Sequence, residues 1–178
     1  MIPLIRRATR ADAAPLAELA ARTFADTYAA HNDPDDMAAH ITAKYGEAKQ
    51  AEELAHPAAT YLLAELDGRP VGFAYVVADR APSGIPMDAP VELVRFYVVS
   101  DWHGRGVAQH LMDACVAEAR RRGGRTLWLA VWQENPRAIA FYRKAGFRLA
   151  GTTSFHLGSQ VQDDDVMAMT LEPAGETA

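Results

Sequence analysis

One cysteine, Cys115, stands in 178 residues, so no disulfide can close within the chain, and such sparing use suits a reducing cytoplasm. No apolar run approaches the ~20 residues that a membrane-spanning helix needs. Met1-Ile2-Pro3-Leu4-Ile5-Arg6 is followed by neither a long apolar h-region nor a cleavage site. A cytoplasmic protein without membrane contact is the expectation. Positive charge is short as well, 18 Lys and Arg against 23 Asp and Glu, for a net charge of −5. The one basic cluster, Arg120-Arg121-Arg122, precedes Gly123-Gly124, where cations favour the C-terminal end of a helix dipole. Nucleic acid is therefore not an expected partner, whereas an acidic balance tolerates a small cation. The histidines lack metal-ligand spacing, so no metal is expected either.

What is present is an ordinary globular balance, 49% apolar and 23% charged. We expect a single domain over residues 1–172, with 173–178 as a flexible tail. Ile2 to Arg7 reads as a short strand. Thr9-Arg10-Ala11-Asp12 resembles a capping box and opens an Ala/Leu-rich helix to Tyr28. Asn32-Asp33-Pro34 stops it and starts a helix from Asp35 to Lys44, and Glu47 to Ala55 makes a third. Tyr61–Leu66, the Asp67-Gly68 turn and Val71–Val77 form a hairpin. Arg80 to Pro90, with three prolines and a glycine, is loop.

A strand from Glu92 to Val99 follows, then a helix from Gly104 to Arg122 whose inward stripe is Val107, Leu111, Met112, Cys115, Val116 and Ala119. Cys115 is therefore expected buried and inert. Arg125 to Trp132 is a buried strand, and Pro136 to Lys144 a helix capped by Asn135. Phe147–Leu157 and Asp165–Leu171 close the chain as a hairpin around Gly158-Ser159-Gln160. The pattern predicts an α/β (α+β) domain with a mixed sheet.

Trp102-His103-Gly104-Arg105-Gly106-Val107-Ala108 joins a strand to a helix start. Glycines there allow a tight bend and close approach of an anion to unpaired backbone N–H groups, with the helix dipole and Arg105 adding positive charge. A pyrophosphate suits it; an ordinary glycine turn is the alternative. The Gly-Lys-Ser/Thr ending of a P-loop is absent, and the third glycine of a dinucleotide fingerprint is missing.

His103-Gly104-Arg105-Gly106-Val107-Ala108 resembles the Q/R-x-x-G-x-G/A loop of the GNAT superfamily of acyl-CoA-dependent N-acetyltransferases. Asn135-Pro136-Arg137-Ala138-Ile139-Ala140-Phe141-Tyr142, with Gly146-Phe147 behind it, resembles the second motif of that family, N-x-x-A-x-x-F-Y-x-x-x-G-F. The two stand in the family's order and spacing; the departure is His103, where the family most often has Gln or Arg. The resemblance implies a mixed, mostly antiparallel sheet of about seven strands flanked by helices, splayed between its two central strands. It also implies acetyl-CoA as co-substrate and a small-molecule amine as partner. Homodimers, common in this family, are a further expectation. Looser matches at Thr23–Tyr28 with His31-Asn32, at Val131–Asn135 and from Gly158 to Met167 are similar to bacterial spermidine/spermine acetyltransferases.

The same resemblance assigns roles. His103, Gly104, Arg105, Gly106, Val107, Ala108 and Gln109 would hold the diphosphate, while Phe96, Tyr97, Val98 and Asn135 line the pantetheine arm. The Val98 N–H would polarise the thioester carbonyl. Tyr142 would protonate the departing thiolate, its alternative being a core phenol bonded to a backbone carbonyl. Glu92 is either the general base, directly or through water, or a paired strand carboxylate. Asp26, Tyr28, His31 and Trp132 would wall the acceptor channel. Phe141 is read as core and Trp128 as sheet packing. Asp163-Asp164-Asp165 is either solvated or turned toward a polyamine. Direct transfer in a ternary complex is expected; a protein or peptide amine as acceptor, or a non-catalytic acyl-CoA-binding module, are the alternatives.

Overall fold

Seven strands form one sheet in the order β1-β2-β3-β4-β5-β7-β6. The structure is a computed structural model that describes residues 2–158 and 160–172; the tail expected at 173–178 lies outside them. The strands are β1 (Leu4–Arg7), β2 (Ala59–Leu66), β3 (Arg69–Ala78), β4 (Pro90–Val98), β5 (Thr126–Trp132), β6 (Arg148–Leu157) and β7 (Gln160–Thr170). Helices α1 (Ala13–Tyr28), α2 (Pro34–Tyr45) and α3 (Glu47–Leu54) cover one face; α4 (Val107–Arg121) and α5 (Pro136–Lys144) cover the other. Among the described residues, no helix is long and apolar enough to cross a membrane.

Local chemistry explains most boundaries. Asp12 Oδ2 accepts from the Thr9 N–H at 2.7 Å, the reciprocal arm of a capping box. Asp33 caps α2 by accepting from the amides of Asp35 and Asp36, with Pro34 in the first turn. Asp67 and Gly68 both take positive φ, the type I′ geometry that matches the twist of the β2–β3 hairpin. Arg121 and Arg122 hold the end of α4 through Glu118, a structural use of the basic cluster.

Two boundaries differ from expectation by more than two residues. Helix α4 begins at Val107 and not Gly104, because Gly104 and Gly106 stand at φ +72° and +84°, outside the helical region. Strand β7 begins at Gln160, five residues earlier than Asp165, since the β6–β7 ladder runs to Leu157↔Gln160. The acidic run thus lies within a strand, where alternation sends neighbours to opposite faces.

Of the six joins between neighbouring strands, the one between β4 and β5 is the shortest. That parallel pair is formed only by Pro90↔Thr126, Val91↔Leu127 and Glu92↔Trp128. Beyond Glu92 the strands part. The β3–β4 register slips between Tyr75↔Arg95 and Val76↔Leu93, leaving Val94 as a bulge at the start of the gap.

Next to the bulge, Arg95 is largely withdrawn from solvent, its side chain 11% exposed. Its guanidinium bonds Glu53 at 2.6 Å and also the Tyr61 hydroxyl, and it lies over the rings of Tyr45 (4.9 Å) and Tyr75 (5.2 Å). Tyr61 in turn donates to Gln50 Oε1 at 2.8 Å. This network ties α3 to β4, and removing one member leaves a charge without its partner. Glu53→Leu is expected to cost about 3–5 kcal/mol, seen as a lower urea midpoint at constant m-value.

Candidate functional site

The cradle at the start of α4 is built by main chain. His110 N–H returns to the Gly106 carbonyl at 3.2 Å; ahead of it, the amides of residues 104–109 have no acceptor among the described residues. A Cβ at Gly104 would meet nothing within 4 Å, and one at Gly106 only the His110 ring at 3.9 Å. The glycines are therefore not demanded by crowding within the protein. They supply positive φ and leave open space over a row of donors, the complement of a diphosphate.

The side chains around this row are largely committed within the protein. Arg105 lies over the Trp102 ring at 5.3 Å, Gln109 donates to Asp113 at 2.9 Å, and Val107 is buried. The His103 Nε2 sits 2.6 Å from the Val98 carbonyl, and its Nδ1 sits 2.8 Å from Arg137 Nη1. A carbonyl only accepts and a guanidinium only donates, so the ring proton belongs on Nε2. His103 thus pins the loop to the end of β4 and orients Arg137 on α5. Reading His103 only as a phosphate-loop residue missed this bridge.

Where β4 and β5 part, a cleft of about 1060 Å³ opens across the sheet. Val99 N–H bonds Val71 on β3 at 2.9 Å. By alternation, the main-chain groups of Phe96 and Val98 turn the other way, into the gap, where β5 no longer meets them. Tyr142 of α5 stands in this gap, edge-on to Phe96 at 6.2 Å and Phe147 at 5.7 Å. Its hydroxyl has no hydrogen-bond partner among the described residues, unlike a core phenol bonded to a carbonyl. Burial, with smaller contributions from Tyr28 and Cys115, raises its ionisation well above the ordinary phenol range.

Asn135 accepts from the Ala138 amide at 3.2 Å as N-cap while also lining the cleft. Phe141, read as core, packs half-buried against the core cluster and stacks on Phe96 at 5.6 Å, and it also lines the cleft.

On the α1 side the cleft gathers Asp26, Tyr28, His31 and Trp132. Trp132 contacts Tyr28 at 6.0 Å and His31 at 5.3 Å between ring centroids. Tyr97 turns to this side, half-buried, stacked on Phe73 at 5.6 Å with its hydroxyl interacting with that of Tyr28. Trp128 packs into the sheet and donates to the Arg80 carbonyl at 2.6 Å.

Glu92 lies at the apex of the fork, 9% exposed. Burial raises its ionisation, and the nearby Arg80 guanidinium opposes the shift. Arg80 Nε is 2.8 Å from Oε2, yet that oxygen has no aligned hydrogen bond among the described residues. The contact is an ion pair by distance without the direction of a good bond. Asp164, which the sequence reading treated as one of a run, faces the same cleft alone.

Comparison with known proteins agrees with this geometry. The model of the acetyltransferase (GNAT) family matches residues 18–147. An uncharacterized N-acetyltransferase of Mycobacterium tuberculosis is 38% identical over 160 residues, 90% of this chain and 98% of the relative. The aminoglycoside N(6')-acetyltransferase type 1 of Stenotrophomonas maltophilia is 32% identical over 146 residues, 82% and 86% of the two chains. Among solved structures, the PaiA N-acetyltransferase of Thermoplasma acidophilum in complex with coenzyme A superimposes with a TM-score of 0.79. It covers 96% of this chain and 99% of that one at 22% identity, which speaks for the fold alone.

Proposed function

Because the chain belongs to the acetyltransferase (GNAT) family, we propose that it moves an acetyl group from acetyl-CoA directly onto a primary amine of a small cationic molecule, a polyamine foremost. One observation carries this reading: a row of unbonded amides at the head of α4 opens beside a strand edge that lacks a partner, with the free Tyr142 hydroxyl in the gap. A diphosphate fits the first, and a pantetheine arm, itself an extended chain of amides, fits the second. Acetyl-CoA, when bound, supplies an acyl group activated as its thioester.

The amides of residues 104–109 hold the diphosphate, and Phe96, Val98 and Asn135 line the arm, while Tyr97, expected beside them, packs on the acceptor side. The Val98 N–H polarises the acyl carbonyl, with the Phe96 N–H facing the same gap. Tyr142 keeps its proton until the thiolate leaves. The burial that raises the phenol raises the thiol it serves, so the two remain matched for transfer. An attacking amine has to shed its proton first, since a free alkylamine holds one up to pH ~10. Glu92, at the apex, takes that proton through water. Asp26, Tyr28, His31 and Trp132 form the acceptor wall.

A cationic acceptor is supported by Asp164, a cleft carboxylate that no lysine or arginine pairs among the described residues, with Asp26 on the same lining. The related aminoglycoside enzyme, whose named substrate class carries several amines, points the same way. Thiol release measured with spermidine, spermine, amino acids and peptides tests the assignment. Turnover with polyamines is expected; turnover confined to peptides moves the acceptor to protein amines, and no release with any amine leaves only a binding module.

Direct transfer also needs no enzyme thiol. Cys115 is fully buried, and burial pushes its ionisation far above the ordinary thiol range. Cys115→Ala is expected to retain turnover within about threefold, measured as initial rate at saturating substrates.

A further inference from the structure

We propose that Asp164 and Gln162, walled by Tyr28 and Trp132, form a subsite for an ammonium group of the acceptor that does not react, so that the preferred acceptor carries at least two amines. The proposal rests on the acetyltransferase reading above and adds where the second charge sits.

Asp164 is 8% exposed, and its Oδ1 has no hydrogen-bond partner among the described residues. It pairs with Trp132 across the β5–β7 ladder, so its side chain leaves the sheet on the same face as that ring. Gln162 stands two residues earlier on β7 and shares this face. Its Nε2 donates to Asn32 Oδ1 at 2.8 Å, which turns Oε1 the other way; that oxygen too is buried without a donor. Two acceptor oxygens on one face of β7, both in the wall of the cleft, are therefore left without a donor among the described residues.

Charge makes the case sharper. No lysine or arginine pairs with Asp164 among the described residues; burial first, and then the neighbouring Asp163 and Asp165, push its ionisation up to about 6, so it is still mainly a carboxylate at neutral pH. Tyr28 and Trp132 place two aromatic rings beside it, and a cation over such faces gains further attraction. Carboxylate, amide oxygen and aromatic faces together complement an alkylammonium, which has three donors and one positive charge. Buried unpaired carboxylates are costly in a protein that does not use them.

The held nitrogen is not the one acetylated. A carboxylate with no other counter-charge strengthens the charged form of whatever amine it grips, and a charged amine cannot attack. The reacting nitrogen belongs nearer the gap that holds Tyr142, across the cleft from β7. A molecule with a single amine satisfies one position and leaves the other empty.

The test uses the full-length protein, titrated with spermidine and with n-butylamine, with and without CoA, followed by steady-state rates for both amines. Wild type is expected to bind spermidine, and Asp164→Asn to bind it roughly ten- to a hundredfold more weakly, as for a lost charge-assisted bond. The ratio of kcat/KM for spermidine over butylamine should fall by a similar factor. Asp164→Asn keeps the shape and removes an unpaired buried charge, so its melting midpoint is expected at or above that of wild type. Gln162→Met, which removes only the second acceptor, should weaken spermidine binding several-fold.

Equal spermidine affinity in wild type and both variants, or no spermidine binding by wild type, overturns the subsite. Failure of the acetyltransferase reading shows separately, as no CoA binding and no thiol release with either amine.

Discussion

Tyr142→Phe is expected to lower kcat by two to three orders of magnitude while the KM for acetyl-CoA stays within about threefold. The substitution removes one oxygen. The ring keeps its edge-on neighbours Phe96, Phe141 and Phe147, and no internal hydrogen bond is lost, since the hydroxyl has no partner among the described residues. Packing and midpoint of melting should therefore hold. What disappears is a proton held in reserve by burial, and general acids are worth roughly 10²–10⁴ in rate. A drop below fivefold, with the fold intact, would assign the acid role to water or to another group.

The second large effect lies at the cradle. Gly106→Val forces a β-branched residue to φ +84°, at a cost of about 1–2 kcal/mol. The protein itself has room for the new Cβ, whose nearest neighbours are His110 ring atoms at 3.9 Å. The fold is expected to survive with a lowered midpoint. The space the side chain fills is that of the proposed diphosphate, so affinity for CoA should fall at least a hundredfold by calorimetry. A strained but fully CoA-competent variant would place the diphosphate elsewhere.

Much of this arrangement was legible from residue order. Asn135-Pro136 fixed the start of α5 to the residue, because a capping side chain and a proline restrict the backbone independently of tertiary context. Asp67-Gly68 did the same for the hairpin. The start of β7 was not legible. Apart from Val161, Gln160–Asp164 is polar, and three consecutive aspartates look like a solvated turn, so a strand starting at Asp165 is what the sequence suggests. Had period-two alternation been carried back to Gln160, it would have placed Gln162, Asp164 and Val166 on one face, separating Asp164 from its neighbours.

The ties made by Arg95 to Glu53 and by His103 to Val98 and Arg137 were also hidden. Each joins elements at least 34 positions apart in the chain or turns on which ring nitrogen meets which partner. No local pattern carries that information. Glu92 was visible as a candidate, but the cation beside it comes from the Arg80 loop, whose path depends on the whole fold.

The three residue pairs joining β4 to β5 have a mechanical consequence. Strands β1 to β4 and strands β5 to β7 are each joined by antiparallel ladders broken only by bulges, so either block resists bending. Rocking one block against the other about Pro90–Glu92 and Thr126–Trp128 breaks no rung of either ladder. The seam along which a bulky reagent would slide in and out is thus the join with the fewest ladder pairs in the sheet, held mainly by the side chains packed across it.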